Sequence, residues 1–319
     1  MLALIKAELV KIWKLKSTKV YMLLIFVVLL ASAFLSKQSG IAADSWRQET
    51  QKQMEEAQQG YNEAQEEYKD DKEMRDLFCE IYEEEISLYT YSLEHDIPYQ
   101  VNTNWSFLYS SKGVGTFTLI LLIMIAVSSV LNEYTYGTMK QMLICPFKRG
   151  TILLANQIGL SLYALLGFFM QFIFAFLIGT IFFSNGKGVM LEYKDGAIIE
   201  IPMLQSVAGS YFMNGIFAII LMGIAVGFAI FFKNALLSFV CTFLVGMGDT
   251  IFQSFLGAKK WYEYTIFPNL KTSIFFADGN FCSPDQEMIR AIFVIVGYLV
   301  VFIGAYYFYF TKTDVKNGR

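Results

Sequence analysis

The chain has 319 residues, of which 55% are hydrophobic and 17% charged, and its formal net charge is −3. Its basic residues flank apolar stretches instead of forming one basic patch, which argues against a nucleic-acid-binding protein. A hydrocarbon core about 30 Å thick is crossed by roughly 20 apolar residues of helix, and six stretches approach or exceed that length. These features predict an all-α polytopic membrane protein and exclude an ordinary soluble domain.

Six transmembrane helices (TM1–TM6) and the segments between them divide the whole chain. The third stretch is long enough to extend a turn or two beyond the hydrocarbon core. The predicted division is 1–19 amphipathic N-terminal helix, 20–36 TM1, 37–112 extracellular helical domain, 113–131 TM2, 132–150 cytoplasmic loop, 151–183 TM3, 184–206 extracellular loop with a hairpin, 207–232 TM4, 233–234 cytoplasmic turn, 235–256 TM5, 257–288 extracellular interfacial or re-entrant segment, 289–310 TM6 and 311–319 cytoplasmic tail.

Positive charge sets the predicted orientation, because cytoplasmic loops of membrane proteins are enriched in Lys and Arg. The segment before TM1, the loop after TM2, the turn after TM4 and the tail together hold 12 of the 25 basic residues. Segment 37–112, by contrast, holds 17 acidic and seven basic residues, a net charge of −10. Both termini are therefore predicted to be cytoplasmic.

The first extracellular segment shows helical spacing, since its larger or apolar residues recur every three or four positions. Two helices are expected, either as a hairpin turning at Asp70 and Asp71 or as one bent rod. They form either a spacer that steadies TM1 and TM2 or a domain that binds substrate or a partner. The recurring residues are Ala43, Trp46, Thr50, Met54, Ala57, Tyr61, Ala64 and Tyr68.

The second extracellular loop predicts a small β-hairpin. Two β-prone runs flank Asp195 and Gly196, a dipeptide typical of tight hairpin turns. An isolated two-stranded hairpin is marginally stable, so this one is expected to lean on the first extracellular domain.

Catalytic signals are weak throughout the chain. A phosphate-binding loop of the G-x-x-x-x-G-K-[ST] type does not occur, and no nucleophile or metal motif stands out. The chain is therefore expected to be neither an enzyme nor a cofactor-binding protein. Cys79 and Cys282 are either free thiols or a disulfide pair.

Three polar residues within the spans are candidates for a substrate pathway. Asp249 in TM5 is costly in hydrocarbon, so it faces a wet cavity or a partner such as Arg290, or reaches outer water. Gln171 in TM3 and Asn214 in TM4 are either interhelical contacts or substrate ligands.

The loop between TM2 and TM3 carries the most informative residues. Met139, Met142 and Leu143 fit one face of a short amphipathic helix, with Lys140 at the lipid headgroups. Pro146 would end that helix, and Gly137 and Thr138 would begin it. Glu133 and Arg149 bracket it, and they pair either with each other or with a partner protein.

This loop resembles the cytoplasmic loop of type-2 ABC exporter permeases. In that family a Glu, a Gly-Thr pair, a Pro and a basic residue recur in this order, here Glu133, Gly137-Thr138, Pro146 and Arg149. The basic amphipathic N-terminus and the six-span topology are also similar.

The resemblance implies a permease subunit that works as a dimer, with a second copy or a paralogue. A separate ABC ATPase would bind ATP and Mg²⁺ and dock on the loop, which would act as a coupling helix. The expected cargo is amphiphilic or peptide-like, for example an antimicrobial peptide. The alternative is a membrane sensor or interaction protein whose acidic domain captures cationic peptides without transport.

Overall fold

A computed structural model describes residues 1–39, 45–99, 101–135, 149–194, 196–277, 280–282 and 285–312. These residues are mainly helical. The helices are α1 (Leu2–Lys14), α2 (Lys16–Ser39), α3 (Trp46–Glu67), α4 (Lys72–Glu94), α5 (Asn104–Ser110), α6 (Gly115–Thr135), α7 (Arg149–Phe182), α8 (Met203–Phe232), α9 (Ala235–Gly246), α10 (Gly248–Leu256), α11 (Ile266–Asn269) and α12 (Gln286–Lys312). Short 3₁₀ helices cover Ser111–Val114, Lys260–Tyr264 and Thr272–Ile274. The strands form two antiparallel pairs, β1 (Val189–Lys194) with β2 (Ala197–Pro202) and β3 (Phe276–Ala277) with β4 (Asn280–Phe281).

Five apolar segments are long enough to cross a membrane, namely α2, the run from α5 through α6, α7, α8 and α12. The pair α9–α10 makes a sixth if its two halves count as one span. The predicted helical fold is therefore confirmed, with five to six helices long and apolar enough to be candidate membrane spans. Helix α7 has 34 residues, in keeping with a third stretch that exceeds the hydrocarbon core.

The predicted fifth span, 235–256, is not one straight helix. It breaks at Met247, and the axes of α9 and α10 differ by 56°. Glycines flank the break, and glycine weakens helices because it has the most backbone freedom to lose. At Gly248 an added Cβ would lie 2.1 Å from the ring of Phe267, so that ring occupies the space of a side chain. The bend lets residues 257–277 pack against the bundle.

Helix α8 is the centre of the bundle and packs against α6, α7, α9 and α12. Its side chains Leu221, Met222 and Ile230 are fully buried. Between membrane helices the gain comes from close packing, because lipid tails are as apolar as the side chains themselves. The peripheral helices α2 and α12 expose most of their apolar surface instead, as lipid-facing helices do.

A two-residue turn joins α8 to α9. Lys233 adopts a left-handed conformation with φ of 50°, and the Asn234 side chain accepts a hydrogen bond from the Leu237 backbone amide at 3.0 Å. This bond caps the first turn of α9. Helix α8 ends at Phe232 and α9 begins at Ala235, so the turn occupies residues 233–234, while its cytoplasmic placement stays a prediction.

Helices α3 and α4 form the predicted antiparallel hairpin, with the turn at residues 68–71. The buried residues of α3 are Trp46, Thr50, Ala57 and Ala64, all members of the predicted stripe. The rings of Tyr68 and Phe78 stack with centroids 5.1 Å apart beside the turn. The open choice between a hairpin and a bent rod is thus settled in favour of the hairpin.

The strands β1 and β2 form the predicted β-hairpin and lean on the helical hairpin. Leu191 joins a small apolar cluster with Leu88 and Ile97, and the Tyr91 hydroxyl donates to the Glu200 carboxylate at 3.0 Å. We call this end of the bundle, with both hairpins, the hairpin end. We call the end that carries α1 the N-terminal end.

The α3–α4 interface predicts a matched pair of variants in the full chain. Ala57 is 5% exposed, so Ala57→Glu places an unpaired charge between the helices and should cost about 2 kcal/mol. Backbone amides of α3 and α4 should then exchange hydrogen about 30-fold faster by mass spectrometry. Gln58→Glu adds the same charge on the exposed face and should leave exchange unchanged. Equal exchange in the two variants would contradict the packing of this stripe.

Candidate functional site

A buried ionic cluster lies at the N-terminal end of the bundle. Lys11 of α1 contacts two carboxylates, Glu8 on its own helix and Glu133 near the end of α6. The side chains of Glu8 and Glu133 are 8% and 12% exposed. Asn156 of α7 donates a hydrogen bond to Glu8 Oε2 at 3.0 Å. Four side chains thereby join three helices that are distant in the sequence, and we call this group the ionic cluster.

Two local features set the position of α1, one against α7 and one at its junction with α2. At Gly159 an added Cβ would lie 3.1 Å from Cβ of Glu8, so a larger residue there would push α1 away. At the other end of α1, Leu15 is extended and interrupts the helix before α2. The buried hydroxyl of Thr18 donates to the Ile12 carbonyl at 2.6 Å and fixes the angle between α1 and α2.

The charges within the ionic cluster favour an ionised lysine. Burial acts to lower the pKa of Lys11, but the carboxylates of Glu133 and Glu8 outweigh it, and the net effect raises the pKa. Lys11 is therefore protonated across the physiological pH range. Its single charge faces two carboxylates, so these three groups carry one excess negative charge when all are ionised. Among the described residues, the buried Oδ1 of Asn156 has no hydrogen-bond partner.

The predicted coupling residues fall partly within the described chain. Glu133 lies near the end of α6, and Arg149 is the first residue of α7. The partner of Glu133 in the structure is Lys11, a contact that sequence reasoning did not consider. Gly137, Thr138, Lys140 and Pro146 lie outside the described residues, as does the predicted amphipathic helix.

Gln171 is fully buried and acts as an interhelical contact. Its Nε2 donates to the Ser111 carbonyl at 3.2 Å, and the Ser111 hydroxyl lies 2.8 Å from the hydroxyl of Tyr211. These bonds join the 3₁₀ segment before α6 to α7 and α8. Of the two roles left open for Gln171, the geometry favours interhelical contact. Asn214 instead lines a small cavity together with Lys112.

Asp249 lies in the first turn of α10, directly after the bend. Its carboxylate pairs with Lys271 at 3.0 Å and accepts a hydrogen bond from the Tyr262 hydroxyl at 3.1 Å. The suggested pairing with Arg290 is not what the structure shows, because Arg290 pairs with Glu263 at 2.8 Å. The bend turns Asp249 toward residues 257–277, so in the structure this acid fastens that segment to α10.

The remaining expectations concern the cysteines and possible metal-binding side chains. Cys79 and Cys282 are both free thiols in the structure. Within the described ranges, no group of three or more His, Cys, Asp or Glu side chains could hold a metal ion.

Sequence reasoning missed the cluster in which Lys11 contacts Glu133 and Glu8, and Asn156 donates to Glu8. Two signals were available in the chain. Glu8 is the one acid in the basic N-terminal segment and stands three residues before Lys11, on the same helix face. Asn156 is a polar residue near the start of a long apolar run, where a polar partner is expected.

Comparison with known proteins extends these observations. The family described as "Protein of unknown function (DUF2705)" matches residues 80–316, from within α4 to the end of α12 and beyond. The chain is 29% identical over 325 residues to "Uncharacterized protein YhcI" of Bacillus subtilis, covering 99% of this chain and all of that relative. It is 24% identical over 198 residues to "Uncharacterized membrane protein YdbK" of the same organism, covering 61% of this chain and 77% of the relative. The apolar helices and this second relative together indicate a multi-pass membrane protein.

The ionic cluster predicts that loss of its cation destabilises the bundle. Lys11→Met leaves two buried carboxylates facing each other, which should lower the free energy of unfolding by about 1–3 kcal/mol. The measurement is thermal unfolding of the full chain in mild detergent. Lys6→Met, at an exposed lysine of the same helix, is the matched control. Adding Glu133→Gln to Lys11→Met should recover part of the loss. If Lys11→Met and Lys6→Met unfold at the same temperature, the cluster contributes no stability.

Proposed function

We propose that this chain, which belongs to the DUF2705 family, is the transmembrane permease subunit of an ATP-driven exporter. In this proposal a separate ABC ATPase supplies ATP and Mg²⁺, and a second permease copy or a paralogue completes a dimer in the bacterial plasma membrane. The N-terminal end and both termini face the cytoplasm, and the hairpin end faces outward. The resemblance of segment 132–150 to the loop of type-2 ABC exporter permeases motivates this assignment.

The ionic cluster is the observation that best supports the proposal. Segment 136–148 connects α6 to α7, and the cluster fastens both helices to α1 close to where that segment leaves and returns. A soluble ATPase that pushes on a loop moves the bundle only if the base of the loop is stiff. Without α1, the push would bend the ends of α6 and α7 instead of moving the helices as a body.

Each of the predicted coupling residues has a role in this proposal. Glu133 anchors the base of the loop through Lys11, and Arg149, at the start of α7, presents positive charge to the ATPase. Gly137 permits the turn out of α6, Thr138 begins the short helix and Pro146 ends it. Lys140 holds that helix at the lipid headgroups.

The proposed cargo is an amphiphilic or peptide-like molecule, such as an antimicrobial peptide. The acidic face of the α3–α4 hairpin supports this choice, because carboxylates such as Glu55, Glu66 and Glu83 are solvent-exposed there. Exposed acidic surfaces attract cationic peptides through long-range electrostatics. The same surface would also serve a sensor that captures such peptides without transport. The exporter and the sensor differ in that only the exporter requires an ATPase partner.

The orientation predicts the result of a labelling experiment on intact cells. In a chain with its native cysteines changed to Ser, a Cys introduced at Glu66 should react with a membrane-impermeant maleimide. A Cys introduced at Lys148 should react only after the membrane is permeabilised. The reverse pattern would place α1 outside the cell and remove the exporter proposal.

The coupling role predicts a second, functional experiment. Arg149→Glu and Gly137→Val should lower either the amount of ATPase that co-purifies or the stimulation of ATP hydrolysis by substrate, by at least about tenfold. The spans should remain inserted in both variants. Lys69→Glu, at the turn of the α3–α4 hairpin, makes the same charge change as Arg149→Glu at the opposite end and should have no effect. Purification in mild detergent followed by ATP hydrolysis measures both quantities. If both loop variants keep wild-type ATPase co-purification and wild-type stimulation of hydrolysis, the loop only connects α6 to α7 and has no coupling role.

A further inference from the structure

A small polar cavity lies inside the bundle at the hairpin end, away from the ionic cluster. It has a volume of about 200 Å³, room for roughly six or seven water molecules. Its walls come from the 3₁₀ segment before α6, from α8 and from the 3₁₀ turn at residues 272–274. The lining residues are Lys112, Ser210, Met213, Asn214, Thr272 and Phe276.

Lys112 brings a positive charge into this cavity. Its ammonium lies 3.4 Å from the ring centroid of Tyr109, a cation–π contact that leaves the charge unneutralised. Within the described part of the chain, no carboxylate lies within ion-pair distance of Lys112, unlike Lys11 at the other end. A half-buried ammonium without an anion is unfavourable in a membrane protein and marks a functional position.

Two further side chains in the cavity have free hydrogen-bonding capacity. The amide of Asn214 and the hydroxyl of Thr272 make no hydrogen bond to any described residue. Ser210 is different, because its hydroxyl donates to the Ser206 carbonyl at 2.8 Å. One cation and two neutral donors therefore converge on a space that no described side chain fills.

The depth of the cavity points to a headgroup. Counted from Phe232 at the end of α8, the roughly 20 residues that cross a hydrocarbon core reach Met213, which lines the cavity. The cavity thus lies level with the lipid headgroups on the hairpin side. Phosphate offers several acceptor oxygens and a negative charge to such a set of donors.

We propose that this cavity binds the phosphate group of an amphiphile, with Lys112 as the counter-ion and Asn214 and Thr272 as hydrogen-bond donors. The site needs only the folded bundle in a membrane and no ATPase. It therefore stands or falls independently of the exporter proposal.

The test uses the full chain purified in mild detergent, with dihexanoyl phosphatidylglycerol as the probe and native mass spectrometry as the readout. Dihexanoylglycerol, which has the same acyl chains without the phosphate, measures the apolar contribution alone. Lys112→Gln should weaken binding of the phospholipid about tenfold, and Thr272→Val should weaken it a few-fold. Lys259→Gln, an exposed lysine in the same region, should bind like wild type.

Competition by inorganic phosphate separates the two possible sources of the ligand. Displacement of the phospholipid at millimolar phosphate would show that the anion alone suffices, and failure to displace it would show that the acyl chains are also required. Both results support a phosphate site. Equal binding by wild type and Lys112→Gln, or equal binding of both lipids by wild type, would overturn the proposal and leave Lys112 with its Tyr109 contact only.

Discussion

The contact of Lys11 with Glu8 and Glu133 is the interaction on which the N-terminal end of the molecule depends. Helix α1 is basic and amphipathic, and on charge alone it would lie loosely on a membrane surface. The two carboxylates instead draw it against α6 and α7, at positions shielded from water where such contacts are stronger. Because Asn156 also binds Glu8, displacement of any one helix leaves a buried charge without its partner. That penalty holds the three helices in one arrangement.

The hairpin end is held together by different means. Here Gln171, Ser111 and Tyr211 join helices through neutral hydrogen bonds, while Asp249 and Lys271 fasten residues 257–277 with a more exposed ion pair. Neutral bonds between membrane helices contribute modestly, and exposed ion pairs contribute little. The contrast is compatible with the proposed exporter, in which a stiff N-terminal end would meet the ATPase and a less constrained hairpin end would release cargo.

Local patterns in the sequence were sufficient for the elements, but not for the contacts between distant ones. The stripe that includes Trp46, Thr50, Ala57 and Ala64 predicted helices but left a hairpin and a bent rod as alternatives, and Gly196 between two β-prone runs predicted β1–β2, because both signals lie within a few residues. The bend at Met247 was missed because its two flanking glycines lie within a continuous apolar run that predicts a straight span. The ring of Phe267, which packs against Gly248, is close only in the folded chain. The Lys11–Glu133 contact spans 122 positions, and no local periodicity reports on such a distance.

The short turn between α8 and α9 has a mechanical consequence. With only Lys233 and Asn234 between them, and with the first turn of α9 capped, neither helix end is free to slide past the other. Helix α8 is also the central helix, so a displacement of α8 is transmitted directly to α9. The break at Met247 is then the first position after the turn at which the chain can bend. Bending there changes the position of α10 and of the segment that pairs with Asp249. The stiff arm therefore ends at Gly246, about 18 Å along α9 from the turn, a distance shorter than a hydrocarbon core about 30 Å thick.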